Sequence, residues 1–139
     1  MIGFIILGHN KFGSGLKSSM DLILGEQDKI ETIDFLPEDG VDMLDKKISE
    51  GLKKLKDCDY IIMFADLLGG SPFNRAMIAS TLEGENNIHV ISGTNLTMVV
   101  EAVTLRDSSQ NIDDFISSII NTGKDGIKYG NDLLKDTLS

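Results

Sequence analysis

Few side chains in this 139-residue chain are suited to covalent chemistry: two histidines, His9 and His89, and one cysteine, Cys58. His9 follows a short apolar run and precedes a helical pattern. It therefore stands in a loop at a helix entrance, where a histidine has no packing role. There it can serve as a nucleophile or general base, the plainer alternative being a surface histidine in a turn. Asp66 ends another apolar run. If the two runs are neighbouring strands, Asp66 can hold one ring nitrogen of His9 as N–H and stabilise positive charge appearing on the ring.

After Asp66 come Leu67, Leu68, Gly69, Gly70, Ser71 and Pro72. Two glycines let backbone N–H groups approach an anion, and a helix opening at Ser71 and Pro72 adds its own amides and dipole. Taken alone, the run reads better as an ordinary tight turn with Ser71 as N-cap. No Gly-Lys-Ser/Thr follows and G-x-G-x-x-G is absent, so a nucleotide is not indicated. A single phosphoryl group suits Leu68, Gly69, Gly70 and Ser71.

The remaining candidates read as structural. His89 begins a strand pattern at the opposite end. Cys58 lacks a basic neighbour beyond Lys56 and reads as an inert thiol. Asn95 reads as a helix cap that could also close the site, Arg75 as a solvated cation, and Met20, Met63 and Met77 as core. Two histidines and one cysteine do not suggest a metal centre, and no cofactor is expected.

Apolar runs at 2–7, 60–65 and 88–91, with an alternating segment at 30–35, have the lengths of strands, several of them buried on both faces. Helical spacing links them. Leu16, Met20, Ile23 and Leu24 form one stripe, with Gly25 as C-cap. Val41, Leu44, Ile48, Leu52 and Leu55 form another, and Phe73, Met77 and Ile78 a third. Two more helices are predicted at 95–105 and 113–121. This βαβαβαβ order predicts an α/β, doubly wound, mostly parallel sheet. Ligands bind such sheets beyond the carboxyl ends of the strands, where His9 and Asp66 fall. The segment 126–130 suggests a short edge strand, and 131–139 a helical turn or frayed end.

Composition narrows the function. Thirteen basic and 22 acidic residues leave a formal net charge of −9, which argues against a nucleic-acid phosphate binder or attachment to anionic lipid. No apolar run approaches the roughly 20 residues of a membrane span. With no secretory signal and a lone cysteine, the expected setting is cytoplasmic.

Three segments together resemble the enzyme IIA domains of the mannose/fructose/sorbose-type phosphoenolpyruvate-dependent sugar phosphotransferase system (PTS). The first is Gly8-His9 with Phe12 and Ser14-Gly15-Leu16. The second runs from Asp66 through Gly69-Gly70-Ser71-Pro72 to Phe73-Asn74. The third is Ser92-Gly93-Thr94-Asn95-Leu96 with Met98 and Glu101. They occur in order across roughly residues 1–130. Asn10, where the family usually has glycine, and Thr97, where proline is common, depart from the pattern.

The resemblance implies a phosphotransferase that acts as a cytoplasmic phosphocarrier. His9 would accept a phosphoryl group at Nε2 from phospho-HPr, beside Asp66. It would pass it to the IIB component, and so to sugar uptake through the membrane permease. It implies sheet order 2-1-3-4, with a short antiparallel fifth strand exchanged in a homodimer; the segment 126–130 falls there. The whole chain, 1–139, then reads as one IIA domain with core 1–122 and dimerisation segment 123–139, and no fused IIB domain is expected. The alternatives are the phosphotransfer subunit of a dihydroxyacetone kinase and a non-catalytic anion-binding regulatory module. Phe12, Leu67, Leu68 and Phe73, beside the two loops, are the apolar residues a docking surface would use; the alternative, and for Phe73 the better reading, is that they staple helix ends into the core.

Overall fold

The first apolar run forms the centre of the sheet. In the computed structural model, which describes residues 1–82, 87–108 and 110–138, β1 (Ile2–His9) has six consecutive buried residues, from Gly3 to Gly8. Its side chains alternate between two cores, as the period of a strand requires. Phe4 and Ile6 enter one core; Ile5 and Leu7 enter the other. A strand covered on both faces has no reason to alternate polar with apolar, which is why residues 2–7 form an unbroken apolar run.

The chain continues through α1 (Phe12–Leu24), β2 (Ile30–Phe35), α2 (Val41–Lys54), β3 (Tyr60–Ala65), α3 (Ser71–Leu82) and β4 (Ile88–Ile91). It ends with α4 (Leu96–Thr104), α5 (Ile112–Asp125) and α6 (Gly130–Leu138). The four strands are parallel, in the expected order β2-β1-β3-β4. Helices α1, α4 and α5 supply Met20, Val99, Ala102, Phe115 and Ile119 to the core on one face. Helices α2 and α3 supply Leu44, Ile48, Leu52 and Ala76 to the other. Burying one such large side chain contributes roughly 1.5–3 kcal/mol, more than the ~1 kcal/mol of a typical helix cap. Packing on the sheet therefore decides these helices, and α1 and α2 form although Lys11 and Gly40, at their N-caps, supply no side-chain cap.

Several expectations need correction. Ile23 is exposed, leaving Leu16, Met20 and Leu24 as the inward stripe of α1. Met77 is not core: Met77 and Ile78 are both exposed, and α3 packs through Pro72 and Ala76 instead. Small residues there let α3 lie close to the sheet, so its larger ones remain outside. Val41 is also exposed at the start of α2.

The expected strand at 126–130 is not among the described strands. Residues 127–129 connect α5 to α6 without pairing to the sheet, and the last segment is helical. A strand exists only through the ladder it makes with another strand, and within one chain this segment lies on no sheet edge. No described helix is long and apolar enough to cross a membrane.

Candidate active site

The strand order reverses between β1 and β3, so the loops after these two strands diverge to opposite faces and leave their first residues side by side. His9 ends β1, and Asp66 follows β3 directly, its N–H donating to the Leu7 carbonyl at 3.2 Å. The Asp66 carboxylate turns back over β1. Its Oδ2 accepts from the backbone N–H of His9 at 2.8 Å and also lies 2.8 Å from His9 Nδ1. A carboxylate at Nδ1 calls for a proton there, which leaves Nε2 as the nitrogen with the free lone pair. The Asp66 side chain is 13% exposed and that of His9 47% exposed. The anchor is therefore sheltered while the ring faces outward.

Two glycines create the room for this pair. A Cβ on Gly8 would lie 2.7 Å from both Cγ and Oδ2 of Asp66. A Cβ on Gly70 would lie 2.8 Å from His9 Cε1 and 3.5 Å from Nε2. The second contact also places the glycine loop directly beside the outward nitrogen.

The loop is braced internally. Gly70 N–H donates to the Leu67 carbonyl at 3.2 Å, Asn74 N–H to the Gly70 carbonyl at 2.9 Å, and Asn74 Nδ2 to the Gly69 carbonyl at 3.0 Å. Ser71 is the first residue of α3, and the first helical bond runs from Asn74 N–H to the Gly70 carbonyl, which puts Gly70 at the N-cap and corrects the expectation of Ser71 there. Among the described residues the amides of Leu68, Gly69, Ser71 and Phe73 have no acceptor, so a cluster of N–H groups and a helix's positive end remain open beside His9. Gly70 belongs to this cradle through its lack of a side chain, since its amide is already bonded.

Asn10 departs from glycine for a visible reason. Its φ is 52°, in the left-handed region that glycine enters freely and asparagine tolerates better than most residues. Its N–H donates to the Phe35 carbonyl at 2.7 Å.

The other candidates stand apart. Asn95 Oδ1 caps α4 by accepting from Met98 N–H, and its Nδ2 donates to the Gly123 carbonyl; it joins α4 to α5 and does not close over His9. His89 lies within β4, its ring 6.1 Å from that of Tyr60. Cys58 is buried beside Gly3 and Leu55. Arg75 is not solvated alone: Nε and a terminal nitrogen donate to the two oxygens of Asp45 at 2.7 and 2.6 Å. That guanidinium holds the Asp45 carboxyl below its ordinary range.

Two neighbours of the site escape a reading of the loops after strands one, three and four. Phe35 sets its ring edgewise to that of His9, 6.2 Å between centroids. Asp34 bonds to the first turn of α1. Both lie at the carboxyl end of β2, so the same strand-end rule, applied to the second strand, would have found them.

The comparisons agree with this picture. The family described as PTS system fructose IIA component matches residues 3–120. The mannose-specific EIIAB component of Escherichia coli (strain K12) is 31% identical over 127 residues, covering 91% of this chain and 39% of that protein. The fructose-specific EIIA component of Bacillus subtilis (strain 168) is 31% identical over 107 residues, covering 77% of this chain and 72% of its own length. Among solved structures, the phosphotransferase system component EIIA from Streptococcus agalactiae superposes with a TM-score of 0.85 at 32% identity, covering 94% of this chain and 98% of that one. The chain spans about 39% of the Escherichia coli relative it matches, and nearly all of the streptococcal component. With the fold and these relatives in agreement, the chain belongs to the mannose/fructose/sorbose class of PTS enzyme IIA components.

Proposed function

We propose that this protein is the cytoplasmic phosphocarrier of a sugar PTS, with His9 as phosphoacceptor. The Nε2 lone pair attacks the phosphorus of phosphohistidine on HPr. The new N–P bond forms as the donor's N–P bond breaks in line, and HPr leaves with its ring nitrogen restored. The reverse geometry then delivers the phosphoryl group to a histidine of the IIB component, and through it to sugar at the membrane permease.

The observation that carries this reading is the pair of bonds from His9 to one oxygen of Asp66. They orient the ring, keep Nδ1 protonated and set a negative charge beside the ring that becomes cationic on phosphorylation. Phosphoryl transfer needs little further from a protein than alignment and stabilised equatorial oxygens. The open amides of Leu68, Gly69, Ser71 and Phe73 and the Ser71 hydroxyl are the groups for those oxygens, with Gly70 leaving the approach clear. His9 on an open surface also suits a donor and an acceptor that are themselves proteins.

Incubation with phosphoenolpyruvate, enzyme I and HPr tests the reading. An acid-labile, base-stable phosphate is expected, lost in His9→Ala and kept in His89→Ala. Onward transfer to a sugar IIB component separates the carrier from a dihydroxyacetone kinase subunit, and absence of label would favour an anion-binding module.

The domain reading places residues 1–122 as the core and 123–139 as the dimerisation segment of one IIA domain. Ile127 and Tyr129 are exposed apolar side chains in the connection from α5 to α6, and β4 is an edge strand of the sheet, which supports a homodimer in which this segment pairs with a second copy. Light scattering at micromolar concentration should give a dimer, and truncation after Thr122 a monomer or aggregate.

A further inference from the structure

We propose that Asp34 is a positioning residue for His9, acting through the first turn of α1. The kinetic part of its test rests on the phosphocarrier reading above; the spectroscopic part does not.

Only Asn10 and Lys11 separate β1 from α1. A connection that short transmits any movement of the helix to the histidine before it. Helix α1 has no cap of its own, since the Lys11 side chain makes no cap bond. The cap comes from β2: Asp34 Oδ1 accepts from Ser14 N–H at 2.9 Å, and Asp34 Oδ2 accepts from the Ser14 hydroxyl at 2.5 Å. In the strand register Gly8 pairs with Asp34 and His9 with Phe35. The same two residues of β2 thus hold both ends of the His9 loop, Phe35 through its carbonyl on Asn10 N–H and Asp34 through Ser14.

Nearby contacts leave this arrangement little room to relax. A Cβ on Gly13 would lie 2.5 Å from the Ile6 carbonyl oxygen and 3.2 Å from Asp34 Oδ1, so the first turn of α1 lies directly on the sheet. Lys47 Nζ donates to the Asp34 carbonyl at 2.8 Å and to Asp39 at 2.6 Å, which anchors the backbone of Asp34 itself. The Asp34 carboxylate also covers the positive end of α1.

A plain helix cap would stabilise α1 without affecting the imidazole, and that difference is measurable. The tautomer of His9 can be read from long-range ¹H–¹⁵N spectra of the ring at a pH where it is neutral, with His89 as internal reference. The unaltered protein should show His9 as the Nδ1–H form. Asp34→Ala should mix in a measurable Nε2–H population and slow phosphorylation by phospho-HPr about tenfold or more, the scale expected of a misplaced reacting group. Asp34→Asn, which keeps the shape and an acceptor for Ser14 N–H, should restore both readouts toward the parent.

A folded Asp34→Ala protein with unchanged His9 resonances and rate would overturn the proposal, as would an Asp34→Asn variant as impaired as Asp34→Ala. Should Asp34→Ala fail to fold, Ser14→Ala removes only the hydroxyl contact: shifted His9 ring resonances support the proposal and unshifted ones overturn it. If the unaltered protein takes no phosphate, the phosphocarrier reading fails while the tautomer measurement still decides the role of Asp34.

Discussion

Asp66 Oδ2 receives two bonds from a single residue, the backbone N–H and the ring Nδ1 of His9, each at 2.8 Å. One oxygen thus fixes where the end of β1 lies and how its terminal imidazole is turned. Because backbone and ring share the acceptor, ring rotation is coupled to the backbone at the end of β1. The other nitrogen, Nε2, is left beside Gly70 and the start of α3.

Asp66→Asn tests charge apart from geometry. Asparagine has nearly the same shape, and its carbonyl oxygen can still accept both bonds. The fold should therefore persist, with a thermal midpoint near that of the parent. On the proposed mechanism, the charge that offsets the cationic phosphohistidine ring is lost, however. Losing one preorganised electrostatic group costs about 10²–10³ in rate, and labelling of His9 from phospho-HPr should slow on that scale. Transfer at the parent rate would restrict Asp66 to a structural role.

Gly70→Ala should damage the site more than the fold. The φ of Gly70 is not in the left-handed region, so alanine is allowed by the backbone, but its Cβ would meet His9 Cε1 at 2.8 Å. The ring must turn away or the loop must retreat. Overpacking typically costs about 1–3 kcal/mol; here an exposed ring can yield, so the low end is expected in denaturant unfolding. Phosphorylation should fall at least about tenfold, since alignment is the main requirement. A variant that labels at the parent rate would show that the loop is not beside the reacting nitrogen in solution.

Leu68→Asp should impair docking without unfolding the protein. Leu67 and Leu68 are 58% and 70% exposed in the loop next to His9, whereas Phe12 and Phe73 pack against the two cores and are not free to dock. A surface change of this kind alters stability by about 0.5 kcal/mol or less. The bimolecular rate with phospho-HPr should drop while the melting curve is kept. Salt should lower the parent's rate as well, because a net charge of −9 steers a basic partner over distances that are screened beyond about 10 Å at 0.1 M. Insensitivity to both changes would move the docking surface elsewhere.

Acid stability should report the ion pair between α2 and α3. Arg75 lowers the Asp45 pKa from its ordinary value of 3.8. A depressed carboxyl contributes stability that is fully present above its unfolded pKa and is lost as pH falls through the folded value. Asp45→Asn should therefore unfold more readily than the parent at pH 6, with the difference closing below pH 3.8. Unfolding midpoints from pH 6 down to pH 3 would check this; a difference that stays constant with pH would show that Arg75 does not hold the carboxylate.

What the sequence by itself determined is the local and periodic part. The apolar runs at 2–7 and 60–65 suit strands buried on both faces, because they are short, uninterrupted by polar residues and bounded by turn residues. Their alternation with helical stripes required a parallel sheet, and a parallel sheet gathers its strand ends on one edge. His9, Asp66 and Gly69-Gly70-Ser71 could thus be grouped from their positions after the strands. Tertiary structure alone decided which atoms meet. That one oxygen of Asp66 meets both the backbone N–H and Nδ1 of His9 depends on β1 and β3 lying side by side. That Asp34 caps α1, and Arg75 pairs with Asp45, follows from neighbours 20 and 30 residues apart in the chain. Burial, too, was decided by packing: Met77 and Ile78 carry the right spacing, but α3 meets the sheet through Pro72 and Ala76, because small residues permit the closer approach. The segment at 126–130 shows the limit most directly, since a β-strand is a property of two segments and a sequence describes only one of them.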